Sequence, residues 1–365
     1  MAWAIPEHKP EEVNAAGRAL GKMEFPVTAI EGLDALAVIN NWRAAHAYPL
    51  NTFQITLRHR ARKIERNVII AQREKRLDSI HRKLVAKPTM RMTQMQDIAG
   101  CRAVFTRLAQ VYRLAEAYKS GKFDHKFRNE KDYIANPKPD GYRSYHLVYE
   151  YVGAGPTKPY SGLRVEIQIR TQLQHAWATA VEAVGIFTRQ ALKSNQGNED
   201  WLRFFALMSS AIAAMERTPC VPETPSRKRE LVAEIQALTD KLRAKDMLKA
   251  YNTTLETLGS AKDAKYFIVQ LDPEIGRVTV RRYKAKESAE ANRVYTELES
   301  RIPDDSREQV VLVSVADINA LKRAYPNYFL DTALFSRLVE RVLRSDFQDP
   351  IPLQTIPHVG ELPPA

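Results

Sequence analysis

Two carboxylates, a set of cations and one aromatic loop are the groups in this chain that could do chemistry together. Asp97 precedes a short apolar run in DIAGCR, and Glu166 lies in LRVEIQIR, residues 163–170. The second stretch alternates, with Val165, Ile167 and Ile169 on one face and Arg164, Glu166, Gln168 and Arg170 on the other. Such a strand buries one face and leaves the other wet or at work. If Asp97 leads into a neighbouring strand, two carboxylates share one sheet face. That suits Mg²⁺, which takes one or two carboxylates plus waters and substrate phosphates. Gly100, close by, lets a ligand or a neighbouring backbone come near.

Neither GxxxxGK[ST] nor GxGxxG occurs, so phosphates must be held by side chains rather than by a glycine-rich helix start. In REKRLDSIHRKL, residues 73–84, Lys75, Ser79 and Lys83 recur at i, i+4 and share a helix face. That face suits a triphosphate, and a solvated basic helix would look the same. The segment YIANPKPDGYRSYH, residues 133–146, cannot be a helix because Pro137, Pro139 and Gly141 interrupt it. Its tyrosines offer flat faces to a nucleobase, while Lys138, Arg143, Ser144 and His146 are phosphate donors. A nucleotide or an RNA end fits this loop; a rigid surface turn is the other reading.

Charge points the same way. Residues 51–150 carry 22 Lys and Arg against 10 Asp and Glu, a surplus equal to the whole chain's +12. One block with all the excess positive charge predicts a polyanionic partner there, either clustered phosphates or a nucleic-acid backbone. The 365 residues, 44% hydrophobic and 27% charged, suffice for two or three globular domains. No run of 18 apolar residues occurs, and MAWAIPEHKPEEV has neither a basic leader nor an apolar core, so a cytoplasmic protein without membrane contact is expected. The two cysteines, Cys101 and Cys220, form no CxxC pair and support neither a disulfide framework nor a structural zinc site.

The elements that must position these groups can be read from periodicity. Helices are expected over 8–47, and a long basic helical pattern over about 52–85. A strand follows in IAGCRAVF, then a helix at about 107–119, strands at 144–151 and 163–170, and helix over 171–216. TPCVPETPS, 218–226, marks an elbow with its three prolines, and a charged helical stretch covers 227–258. Then come strands at 265–271 and 276–283, a helix at 285–301, a strand at 308–315 and helices at about 317–324 and 331–344. This order describes a small ββαβα unit. Domains are accordingly expected at 1–217 and 261–345, joined by 218–260, with a proline-rich, disordered tail at 346–365.

The basic RxKxxxSIxxKL helix, DIAGCR, NPKPDGYRSYH and VEIQIRT occur in the order seen in RelA/SpoT-type alarmone synthetases, which this region resembles over about 73–175. The resemblance implies an α+β fold with a mixed-sheet, nucleotidyltransferase-like core flanked by helices. It also implies transfer of the β,γ-pyrophosphate of ATP to a ribose 3′-hydroxyl. By that match Asp97 and Glu166 are the Mg²⁺ ligands, with Glu166 a candidate to activate the hydroxyl. Arg73, Lys75, Ser79, Lys83 and Arg102 are the ATP-binding set. Tyr142 stacks on the acceptor base, and Lys138, Arg143, His146 and Gln168 surround the acceptor. Asp140, Tyr145 and Cys101 depart from the residues usual in such proteins; Asp140 puts negative charge beside the acceptor.

No HD dipeptide of the family's hydrolase domain occurs. A small synthetase fused to a C-terminal domain bearing YxxY, here Tyr325 and Tyr328 in AYPNYFLDT, resembles the CapRel family of fused toxin–antitoxin proteins. That resemblance implies a toxin that pyrophosphorylates the 3′ CCA end of tRNA, restrained by its C-terminal domain until a phage protein, notably a capsid protein, is sensed. Tyr325 and Tyr328 would cover the nucleotide-binding groups; two rings packed in a helix–helix turn are the plainer reading. A (p)ppGpp synthetase using GDP or GTP, and a non-catalytic RNA-binding relative, are the other functions the sequence admits.

Overall fold

The computed structural model describes residues 3–23, 30–188, 199–249, 254–258, 264–272, 274–275, 277–302, 306, 308–315, 321–322, 325 and 332–348. Helices α1 (Pro10–Leu20), α2 (Ile30–Ala45) and α3 (Ala47–Arg62) precede strand β1 (Ile69–Glu74) and helix α4 (Leu77–Ala86). Then follow β2 (Ala99–Phe105), α5 (Leu108–Lys119), β3 (Lys126–Asp132), β4 (Tyr145–Glu150), β5 (Arg164–Thr171), α6 (Gln172–Thr188) and α7 (Glu199–Glu216). The rest comprises α8 (Lys228–Lys241), α9 (Ala244–Lys249), β6 (Thr254–Leu258), β7 (Ala264–Asp272), β8 (Arg277–Lys284), α10 (Ser288–Arg301), β9 (Gln309–Ser314) and α11 (Ala333–Leu343). No described helix is long and apolar enough to cross a membrane.

The fold is α+β, built on one mixed sheet in the order β3-β4-β5-β2-β1-β9-β7-β8-β6. β2 and β5 run parallel, as do β6 and β8, and the other neighbours are antiparallel. The alternation of LRVEIQIR holds: Val165, Ile167 and Ile169 are fully buried in a core shared with α3 and α5. Burying each contributes about 1.5–3 kcal/mol, which pins the strand's register and commits Glu166 and Gln168 to the opposite face.

The long basic helix expected over 52–85 is instead α3, β1 and α4. Short apolar runs such as Val68–Ile70 satisfy helical and strand spacing equally, and here pairing decides: β1 lies between β2 and β9. β3 was not foreseen because its residues are nearly all polar, as befits a sheet edge kept from further pairing by charge. β6 occupies ground expected to be helical.

The ββαβα order expected for 261–345 is present as β7, β8, α10, β9 and α11, but its parts pack in two places. β9 joins β1 through Gln72↔Ser314 and Arg73↔Val313, so these strands extend the sheet of the N-terminal half. α10 covers β7 and β9, whereas α11 buries Phe335, Leu338, Val339 and Val342 among α6, α7, α8 and α9. Most of the helix expected at 317–324, the tail from 349 and Tyr328 lie outside the described residues.

Candidate active site

Sheet register assembles the polar groups. Arg73 sits opposite Gly100, and Gly100 opposite Glu166; in the next row Ala71, Arg102, Gln168 and His146 are aligned across β1, β2, β5 and β4. Opposed residues point to the same side of a sheet, so these side chains emerge together. Ala71, Arg73, Gly100, Arg102, Glu166 and Gln168 line a cleft with Lys75, Asp97, Cys101 and Tyr325, and His146 stands behind Glu166. A Cβ at position 100 would meet only the Glu166 carbonyl, at 3.8 Å, so the glycine leaves the cleft floor open.

Asp97 stands at the mouth of β2. The Lys75 amide donates to the Ile98 carbonyl at 2.7 Å, prolonging the β1–β2 pairing and bringing Lys75 beside Asp97. Lys75 Nζ then donates to Asp97 Oδ2 at 2.8 Å, and Lys83 Nζ, from α4, to Oδ1 at 2.8 Å. Burial alone would raise the Asp97 pKa, but the two ammonium groups outweigh it and hold the carboxyl well below the usual range. Lys75 precedes α4 rather than sharing its face with Ser79 and Lys83. Both lysines nevertheless reach one carboxylate, while Ser79 does not line the cleft.

Glu166 anchors the second group. His146 Nδ1–H donates to its Oε1 at 2.8 Å, and Gln168 Nε2 to its Oε2 at 2.7 Å. Nδ1 being the donor to a carboxylate, the other ring nitrogen, Nε2, is left facing the Tyr142 hydroxyl, 2.9 Å away. Burial would raise the Glu166 pKa, yet the attraction of His146 prevails and the carboxyl stays ionised below its ordinary value. Arg102 donates to Gln168 Oε1 through Nε and Nη2, at 3.3 and 3.2 Å.

The loop before β4 carries an aromatic corner. Lys138 Nζ lies 4.4 Å from the Tyr133 ring centroid and 5.2 Å from that of Tyr142. Asp140 Oδ1 accepts from the Tyr142 amide at 2.8 Å and closes a turn. Gly141 has φ +87°, and a Cβ there would stand 2.9 Å from Trp177 and 3.0 Å from Ser209; only glycine fits.

Of the expected acceptor-binding residues Gln168 lines the cleft, His146 and Tyr142 are tied to it through Glu166, Lys138 lies over the Tyr133 and Tyr142 rings, and the one turned elsewhere is Arg143. It is buried and points away from the cleft. Its guanidinium donates to Ser209 Oγ at 2.9 Å, the Ile134 carbonyl at 3.2 Å, Thr218 Oγ1 at 3.3 Å and the Pro219 carbonyl at 2.6 Å. Alternation across Tyr142, Arg143 and Ser144 explains this, since neighbouring residues of an extended chain face opposite ways.

Arg170, two residues beyond Gln168 on the same face, was not among the expected site residues. It is buried, Nη2 contacts His175 Nδ1, and Nε has no hydrogen-bond partner among the described residues. Burial, reinforced by Arg102, pushes its pKa down to about 9. Positive charge repelled by its neighbours favours an incoming anion. The strict alternation of 164–170 was the signal that could have included it.

Asp97 and Glu166 supply hard carboxylate oxygens to one cleft, and no cluster of three or more metal-ligating side chains occurs among the described residues. This donor set fits Mg²⁺ completed by waters and phosphates.

Residues 72–190 match the family described as "Region found in RelA / SpoT proteins", about a third of the chain. The GTP pyrophosphokinase YwaC of Bacillus subtilis (strain 168) is 36% identical over 112 residues, 29% of this chain and 52% of that protein. The GTP pyrophosphokinase YjbM of the same organism is 39% identical over 106 residues, 28% of this chain and 47% of that protein. The chain thus spans about half the length of these relatives. Among solved structures, a GTP pyrophosphokinase family protein from Streptococcus pneumoniae aligns with 60% of this chain and 98% of its own, at 21% identity and a TM-score of 0.41.

Proposed function

We propose that the protein is a pyrophosphotransferase that moves the β,γ-pyrophosphate of ATP to a ribose 3′-hydroxyl. The observation that carries this reading is the convergence of Arg73, Lys75, Asp97, Arg102, Glu166 and Gln168 on one cleft, within the segment similar to RelA/SpoT proteins. In the reaction the 3′-oxygen attacks the β-phosphorus, the bond from that phosphorus to the oxygen bridging it to the α-phosphate breaks, and AMP departs with the bonding electrons. Charge builds on phosphate oxygens, so placement and cations do most of the work.

A triphosphate entering the cleft competes with Asp97 for Lys75 and Lys83. Arg73, Arg102 and Arg170 add positive charge around it. Asp97 and Glu166 would hold Mg²⁺, whose chemistry is to neutralise phosphate oxygens and fix their geometry. Glu166 accepts the proton of the attacking hydroxyl, and His146, oriented by Tyr142, steadies the carboxylate. Tyr142 and Tyr133, flanking Lys138, offer the acceptor base a stacking surface.

Two acceptors have specific support. The 3′ end of tRNA is favoured by the charge surplus of residues 51–150, and by the exposed Lys126, Arg128 and Lys131 of β3, which runs into the aromatic loop. GDP or GTP is favoured by the activity named for the relatives. Incubating the full chain with γ-labelled ATP and either acceptor decides between them. Label on tRNA supports the first, label on guanine nucleotide the second, and label on neither, in the full chain and in its Tyr325→Ala variant alike, removes the transferase reading.

The finer reading is a CapRel-like toxin restrained by its own C-terminal segment, with a phage capsid or other phage protein as the releasing partner. Its support is Tyr325: buried, lining the cleft beside Arg73 and Arg102, and hydrogen-bonded to the Gln72 carbonyl at 2.6 Å.

A further inference from the structure

The helix that carries Lys83 is not capped by its own sequence. Arg76 occupies the N-cap of α4 and its side chain caps nothing there, although the first amides of a helix need acceptors. Glu299 of α10 supplies one from 222 residues away: its Oε1 accepts from the Leu77 amide at 2.7 Å and from the Tyr295 hydroxyl at 2.9 Å. Its Oε2 pairs with Arg43 Nη2 at 3.0 Å, and the same Nη2 reaches Tyr295 at 3.1 Å. Arg43 Nε donates to the Lys75 carbonyl at 3.2 Å. Arg43, Tyr295 and Glu299 are each less than a tenth exposed.

One buried ion pair therefore holds the chain on both sides of residue 76, through the Lys75 carbonyl and the Leu77 amide. Lys75 and Lys83 are the two groups that neutralise Asp97. Glu299 also places negative charge at the positive end of the α4 dipole, where it is favourable.

We propose that Glu299, held by Arg43, is a positioning residue for the donor-phosphate lysines, so that α10 is a working part of the ATP site as well as of the C-terminal segment. This rests on the assignment of Lys75 and Lys83 to the donor triphosphate. Deleting the C-terminal segment would then remove a support of the ATP site together with Tyr325, and point substitutions at Tyr325 should yield a more active protein than truncation.

The test measures binding of a non-hydrolysable ATP analogue to the full chain, with Lys83→Ala as reference. Loss of one charged cap predicts about tenfold weaker binding in Glu299→Ala. Glu299→Gln, which retains an acceptor for the Leu77 amide, should recover most of the loss. The double variant Arg43→Met, Glu299→Met replaces both charges with apolar groups; it should melt near the wild-type temperature yet bind as weakly as Glu299→Ala. If Lys83→Ala weakens binding and the folded Glu299 variants do not, the positioning role is overturned and the donor-site assignment stands. If Lys83→Ala also binds normally, both are overturned. Weak binding in the double variant at unchanged stability establishes positioning, whereas normal binding there reduces Glu299 to a stability element.

Discussion

The Tyr325 hydroxyl donates to the Gln72 carbonyl at 2.6 Å, joining residues 253 apart in sequence. Gln72 lies on β1 between Ala71 and Arg73, both of which line the cleft, so the bond holds the Tyr325 ring against the proposed ATP-binding groups. A ring seated there competes with nucleotide for the same space. Tyr325→Ala should raise transferase activity by about tenfold if the covered state dominates, and Tyr325→Phe, which loses only the hydrogen bond, by less. Initial rates with labelled ATP check this; an unchanged rate in folded Tyr325→Ala would remove the inhibitory role.

Asp97→Asn keeps the side chain's size but can no longer neutralise two lysines. Labelled transfer should fall by at least about 100-fold, as should that of Glu166→Gln. Near-normal rates in either variant would defeat the assignment of that carboxylate.

The depressed Asp97 pKa also makes a stability statement. A carboxyl whose folded pKa lies below its unfolded value stabilises the fold above the unfolded value, and that contribution is lost as pH falls toward the folded one. Wild type should therefore lose stability relative to Asp97→Asn as pH falls below the ordinary aspartate value of 3.8, and not at neutral pH. Denaturant titrations of both proteins across acidic pH test the sign.

Glu74 behaves oppositely. Burial pushes its pKa from 4.5 up to about 7, against the attraction of Arg43. The folded state then binds more protons than the unfolded one between these values, so stability falls as pH rises through that window. Glu74→Gln should flatten the decline, which amounts to about 3 kcal/mol at most. Parallel pH profiles for the two proteins would disprove this.

Arg143→Met should act through the fold rather than through contact with an acceptor. It strands the buried Ile134 carbonyl and removes the bonds to Ser209 Oγ and the Pro219 carbonyl, a loss of about 2–4 kcal/mol. Chemical denaturation checks the magnitude, and an acceptor KM that changes at full stability would return Arg143 to the binding set.

Residue types and alternation alone determined much of this protein: the two faces of LRVEIQIR, the shaped loop around Gly141, and the basic block that predicts a polyanionic partner. These are local properties, set by the two-residue period of a strand and by the dihedral limits of proline and glycine. Tertiary structure decided the rest. Whether Val68–Ile70 joined a helix or a strand depended on β2 and β9 lying alongside, and whether Arg143 faced the cleft depended on the extended turn that carries it. The bridge from Glu299 to Leu77 had no sequence signal at all, because a buried carboxylate is stabilised only by partners that folding brings to it from distant segments.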